Sequence, residues 1–182
     1  MKLNLFLDIE TLDTAPTTII TEIGAVAFQI APDGNILIAE TLHINVSIAH
    51  QLAMGRTFSA DTIHHRIRNG TLSDTKLLGS TPHLAADHLN SFIDQNDATA
   101  SLYIWGKDFD RPAMEDFYRS LGRTALIPYW ATHCARDAFY YAFGKTRKPR
   151  PKTHQALEDC EIALHDLADA IQALPLCKLL HA

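Results

Sequence analysis

Asp8 and Glu10 stand two residues apart at the end of an apolar run, residues 3–9 (LNLFLDI), where a buried strand has no use for charge. On a strand, residues i and i+2 share a face, so the two carboxylates point one way and Ile9 the other. Carboxylates held that close repel each other and are costly when half buried. A divalent cation relieves this, because hard ions such as Mg²⁺ take carboxylate oxygens as ligands. The simpler alternative is a strand that ends at Leu7, with both acids solvated. A further acid, Asp110, lies in residues 105–112 (WGKDFDRP), at a strand-to-helix transition of the kind where α/β sites collect functional groups. Asp108 or Asp110 could equally cap that helix, with Pro112 in its first turn. The third set is His154 and Asp159 in residues 152–164 (KTHQALEDCEIAL). Five residues along one helix turn through about 140°, so these two could not face one site from the same helix. His154 is therefore expected on the loop before the helix and Asp159 in its first turns. A surface histidine beside an acidic helix N-terminus is the plainer alternative.

The elements that must position these residues follow from the hydrophobic pattern. Residues 3–9, 20–30 and 35–46 read as strands, the last two joined by the Pro32-Asp33-Gly34 turn as a hairpin. Residues 58–69 predict a short helix. Residues 82–95 predict another, with Leu84, Ala85, His88, Leu89, Phe92 and Ile93 on one face. A strand at 101–105, a helix near 110–121, a strand near 125–130 and a helix near 132–143 follow. Two prolines exclude a regular helix from the loop at 144–153. The last helix, 155–174, carries Leu157, Cys160, Leu164, Leu167 and Ile171 on one face. The order is that of a mixed α/β domain rather than an all-parallel one.

In this order and spacing the residues resemble the DEDDh group of 3′–5′ exonucleases, the proofreading-subunit-like branch of the ribonuclease H-like fold. Asp8-Ile9-Glu10-Thr11 matches the first motif, Glu22-Ile23-Gly24-Ala25-Val26 the second strand, Phe109-Asp110 the second motif, and His154-Gln155-Ala156-Leu157-Glu158-Asp159 the third. The resemblance covers nearly the whole chain. It implies one exonuclease domain over residues 1–182, with a mixed five-stranded sheet, antiparallel over its first three strands and then parallel, flanked by helices. Trp105-Gly106 ahead of the second motif is similar to a phage and prophage branch that includes exonuclease VIII and a small bacterial exoribonuclease. One segment departs from that branch: a tryptophan pair followed by a glutamine is expected after residue 60, where this chain has residues 62–68 (TIHHRIR).

The resemblance implies a metal-dependent enzyme that removes nucleoside 5′-monophosphates from the 3′ end of single-stranded DNA or RNA. Asp8, Glu10, Asp110 and Asp159 would hold two divalent ions, Mg²⁺ or Mn²⁺, with Asp8 shared between them. Such ions clamp the attacking and leaving oxygens of an in-line displacement. His154 would be the general base, a role that suits an imidazole near neutral pH. Thr11 and Leu12 would meet the terminal nucleotide. Tyr103 and Trp105 could stack bases but lie in a core strand, where packing is their simpler use. Lys145, Arg147, Lys148, Arg150 and Lys152 place five positive charges in eight residues, running directly into His154. Such a run is commonly solvated surface; beside the base, contact with the phosphate backbone is expected. An exoribonuclease trimming RNA 3′ ends is the alternative within enzymes, and a catalytically silent binding module the alternative outside them. An α/β hydrolase would need a G-x-S-x-G elbow, which the sequence lacks.

Composition bounds these readings without choosing among them. The 182 residues carry a formal net charge of −5 and are 47% hydrophobic and 20% charged, which excludes disorder and low complexity. The three cysteines, Cys134, Cys160 and Cys177, form no zinc pattern and are expected to be reduced thiols. No apolar run is long enough to span a membrane, and Asp8 interrupts the N-terminal one too early for a signal peptide. A cytoplasmic location is expected. A homodimer is open, since relatives of this group often pair.

Overall fold

The computed structural model of the chain describes residues 2–72, 78–124, 127–144 and 147–174. Its centre is β1 (Asn4–Thr11), buried over all but its first residue. The strand pairs antiparallel with β2 (Ile20–Ile30), which pairs antiparallel with β3 (Ile36–Asn45) through the expected hairpin. On its other side β1 pairs in parallel with β4 (Leu102–Ile104), and β4 with β5 (Thr132–Cys134). The sheet therefore runs β3-β2-β1-β4-β5, antiparallel across its first three strands and parallel thereafter, as expected. Among the described residues the helices are α1 (Ile48–Ala53), α2 (Ala60–Arg68), α3 (Pro82–Gln95), α4 (Lys107–Ser120), α5 (Ala135–Phe143) and α6 (Ala156–Ala173).

The alternation of β1 divides the core into two layers. Leu5, Leu7 and Ile9 project with Ile23 and Ala25 of β2 onto α3 and α4, where Leu89, Phe92, Met114 and Phe117 meet them. Phe6 projects the other way, with Val26 and Phe28, onto Cys160, Leu164 and Leu167 of α6. Asp8 and Glu10 continue the Phe6 face. The two acids thus look toward α6, at the end of the strand where β4 also leads into α4.

The structure differs from the expected elements at several places. Residues 127–131 form a turn and a short 3-10 helix (Tyr129–Ala131), not a strand, while residues 125–126 lie outside the described residues. Pro128 has no N–H to give a ladder, and the strand is instead the three residues that pair with β4, so α5 starts at Ala135 rather than 132. The fourth helix begins at Lys107, three residues before the expected start, with Gly106 in a left-handed conformation as its N-cap. Neither Asp108 nor Asp110 caps it. The sequence also gave no sign of α1, whose six residues are too few to show a period.

Candidate active site

Asp8 and Glu10 are both buried, at 1% and 4% exposure. What brings the third motif to them is a glycine. Gly24 lies opposite Asp8 on β2, and a Cβ there would stand 2.4 Å from the carbonyl carbon and oxygen of Ala156. Only glycine lets the first residue of α6 rest directly on the sheet. The Cys160 thiol then donates to the Gly24 carbonyl at 3.4 Å. The N-cap residue of α6, Gln155, makes no side-chain cap; instead Glu22 of β2 accepts from the Ala156 N–H at 3.4 Å and bonds the His43 ring at 3.0 Å. A carboxylate at that helix end also suits its dipole.

Asp159, in the first turn of α6, is held by the loop that precedes it. One oxygen accepts from the Thr153 N–H at 2.7 Å and from its hydroxyl at 3.1 Å; the other accepts from the His154 N–H at 3.1 Å. His154 has φ +61°, in the left-handed region that a β-carbon disfavours. The cost is met where the backbone wraps the carboxylate. This bend carries the exposed imidazole back over the strand. One ligand atom each from Glu10, His154 and Asp159 then lie within 4.8 Å of one another. Asp110, buried in the first turn of α4, completes the acidic cluster. Burial, with Asp8 and Glu10 nearby, raises its carboxyl well above the ordinary range.

Among the described residues, Lys152 and Arg66 bind carboxylates of this cluster directly. The Lys152 ammonium lies 2.7 Å from Asp8 Oδ1 and 3.9 Å from Asp159 Oδ2. From the other side Arg66 of α2 bonds Glu10 Oε2 and donates through Nε to the Thr11 carbonyl at 2.7 Å. Burial still pushes the Asp8 carboxyl up to about 7 despite Lys152. Burial works to lower Lys152, but the Asp8 carboxylate outweighs it and holds the ammonium above its ordinary value. Among the described residues, Asp8 Oδ2 is buried without a hydrogen-bond partner. A buried, unsatisfied carboxylate oxygen among three further carboxylates and an imidazole is a donor set that fits a divalent cation of the Mg²⁺ or Mn²⁺ kind.

The remaining residues singled out by the sequence are placed less uniformly. Thr11 is buried, its hydroxyl turned to the Asp13 carbonyl at 2.9 Å. Leu12 is buried against Ile19 and Ile48. Of the basic loop, Arg147 pairs with Asp169 and lies over the Phe143 ring, and Arg150 pairs with Asp166 and Asp169. These contacts fasten the loop to α6. Lys148 is exposed, and Lys145 lies outside the described residues. Tyr103 and Trp105 pack edge-on or tilted against Phe28 and Phe139.

Arg66 and Arg136 were not anticipated, while His65 of the His64-His65 pair lies, as expected from the sequence, beside the site. Arg66 is a long-range partner that no local pattern announces, whereas Glu22 stood in the matched second-strand motif without an assigned role. Arg136, in the first turn of α5, lies over Gly106, with Nη1 3.1 Å from where a Cβ would be, and pairs loosely with Asp108 at 3.6 Å. His65 stands edge-on to His154, ring centres 6.3 Å apart. Both histidines line a cleft of about 170 Å³ with Thr11, Thr62, Arg66 and Phe109. The departure of residues 62–68 from the expected tryptophan pair is the signal that pointed to this segment.

Comparison with known proteins agrees with this fold. Exonuclease I of E. coli in complex with single-stranded DNA superposes with a TM-score of 0.64 at 13% identity over 91% of this chain and 38% of that one. The chain thus spans about two fifths of the length of exonuclease I. The nuclease domain of 3′hExo, a DEDDh family member bound to rAMP, gives 0.58 at 14% identity over 93% and 94% of the two chains. Cell-death related nuclease 4 gives 0.53 at 13% identity over 93% and 63%. These likenesses establish the ribonuclease H-like fold. A search of curated protein sequences finds no match. Residues 3–179 match a family profile described as the 3′–5′ exoribonuclease Rv2179c-like domain, and the chain belongs to that family.

Proposed function

We propose that the chain is a 3′–5′ exonuclease of the DEDDh type, acting as one domain over residues 1–182 on the 3′ ends of single-stranded RNA or DNA. The observation that carries this reading is the convergence at the end of β1 of Glu10 and Asp159 with the His154 ring, beside an open cleft, with Asp8 joined to Asp159 through Lys152. Bound Mg²⁺ or Mn²⁺, held by Asp8, Glu10, Asp110 and Asp159, would supply the positive charge that makes water nucleophilic and stabilises the departing 3′-oxygen. The protein's own groups do the rest. A ring nitrogen of His154 takes the proton of the attacking water. The N–H groups of residues 153 and 154 fix Asp159, and Arg66 fixes Glu10. Thr11 and Leu12, buried at the end of β1, would lie beneath the terminal nucleotide, and of the basic loop the exposed Lys148 would meet the phosphate backbone, while Arg147 and Arg150 tie the loop to α6 and Lys152 pairs with Asp8. The family's description favours RNA as the substrate. A cytoplasmic location and a homodimer belong to the same reading.

The test uses 5′-labelled RNA and DNA of one sequence, with Mg²⁺, for the wild type and Asp8→Ala. The expected outcome is a one-nucleotide ladder shortening from the 3′ end, stronger on RNA and lost in the variant. Internal cuts, or a ladder that survives in Asp8→Ala, would overturn the assignment.

A further inference from the structure

We infer that Lys152 is an internal counter-ion of the carboxylate cluster, which a divalent cation displaces as it takes Asp8. The inference rests on the metal-dependent reading above and concerns what must move for a metal to bind. The Lys152 ammonium holds Asp8 Oδ1 at 2.7 Å and reaches toward Asp159 Oδ2 at 3.9 Å. A divalent ion on Asp8 would need the same carboxylate, and two cations sharing it in a buried site repel strongly.

The two cations of the site are built differently. Arg66 is 8% exposed, sits on a helix, and is also tied to the Thr11 carbonyl. It is fixed, and its planar fork spans both partners. Lys152 has a side chain 36% exposed and carries a compact charge on a flexible stem. Its exit leaves the surrounding chain in place. On one side Arg150 is anchored by its backbone N–H and its guanidinium to Asp166. On the other, the N–H groups of Thr153 and His154 hold Asp159. The lysine can therefore swing out while the imidazole and Asp159 stay positioned.

Two measurements test this. Calorimetric titration of chelator-treated protein with Mn²⁺ should show binding to Lys152→Met on the order of tenfold tighter than to the wild type, the equivalent of one partly buried ion pair. In the wild type, amine acylation followed by mass spectrometry should show Lys152 reacting faster once Mn²⁺ is added, with exposed Lys148 as the unchanged reference. Equal or weaker Mn²⁺ binding by the variant overturns the inference. So does Lys152 labelling that Mn²⁺ leaves unchanged or slows, a result the wild type gives even if the variant does not fold. Absence of Mn²⁺ binding in both proteins would overturn the metal-dependent reading itself.

Discussion

Glu10 serves two partners, and the balance between them sets what single substitutions should do. One oxygen is committed to Arg66, whose guanidinium also satisfies the Thr11 carbonyl. Both side chains are nearly out of solvent. Replacing Arg66 by Met strands a buried carboxylate and a buried carbonyl, a loss of roughly 3–5 kcal/mol for pairs of this kind. Urea unfolding should show a drop of about 3 kcal/mol for Arg66→Met, partly recovered in the double variant with Glu10→Gln. An unchanged midpoint would mean the pair contributes nothing. Asp8 gives a second prediction at this scale. Burial raises its carboxyl from 3.8 to about 7, so the folded chain holds that proton more tightly than the unfolded one. The stability this lends is complete below about pH 4 and is lost as the pH rises through about 7. Chelator-treated protein should therefore melt progressively lower as the pH is raised from 5 to 8, and Asp8→Asn should flatten the decline. A melting temperature that rises over that window would contradict the account. The pairing of Asp8 with Glu10 was legible because a strand's period of two is local. Arg66 and Arg136 were not, because each meets the site from a distant element, and nothing in their own neighbourhoods distinguishes them from surface charge; Glu22 stood in a recognisable strand motif, but its partners on α6 and β3 are long-range.

The elements place the site through one close approach. Helix α6 begins on Gly24, capped from β2 by Glu22, and this seat decides where Asp159 and the His154 bend fall relative to Asp8. A methyl group at Gly24 would meet backbone atoms at 2.4 Å, which no side-chain rotation can relieve, so the helix must lift from the sheet. Gly24→Ala should therefore keep most of the helical circular dichroism yet abolish the nuclease ladder and lower the melting temperature. Full activity in that variant would show that the seat is not needed. The Glu-Ile-Gly-Ala-Val segment was recognisable in the sequence, but the reason for its glycine is a contact across 132 residues of chain. Two of the longer elements were readable to the residue: β2 and α3 were anticipated where they occur, because each repeats its period several times. The short ones were not, since β5 has three residues and owes its existence to the β4 edge, and α1 has barely more than one turn. Pro128 turned an apparent strand into a 3-10 helix by withholding one donor.

At the scale of the whole molecule, charge is distributed by use. The net charge of −5 looks unsuited to a nucleic-acid partner, yet several acids are drawn into the cluster around Asp8, and others are spent on the basic loop. Asp166 and Asp169 of α6 take Arg150 and Arg147, so two of the five cations counted from the sequence are structural ties. The Arg147 and Arg150 side chains keep the loop against α6 and hence His154 over the strand; the exposed Lys148 is free to meet phosphate. These roles separate by salt. For single strands, log affinity falls with log salt at about 0.7 per phosphate contact neutralised. With Ca²⁺ in place of Mg²⁺ to slow cleavage, Lys148→Gln should reduce the magnitude of that slope for a short RNA by about 0.7. Asp169→Asn, which unties Arg147 without removing a positive charge, should leave the slope as steep as in the wild type while lowering the melting temperature, because the loop loses its anchor rather than its cation. A slope unmoved by Lys148→Gln would place the phosphate track away from this loop, along the cleft lined by Arg66 and His65.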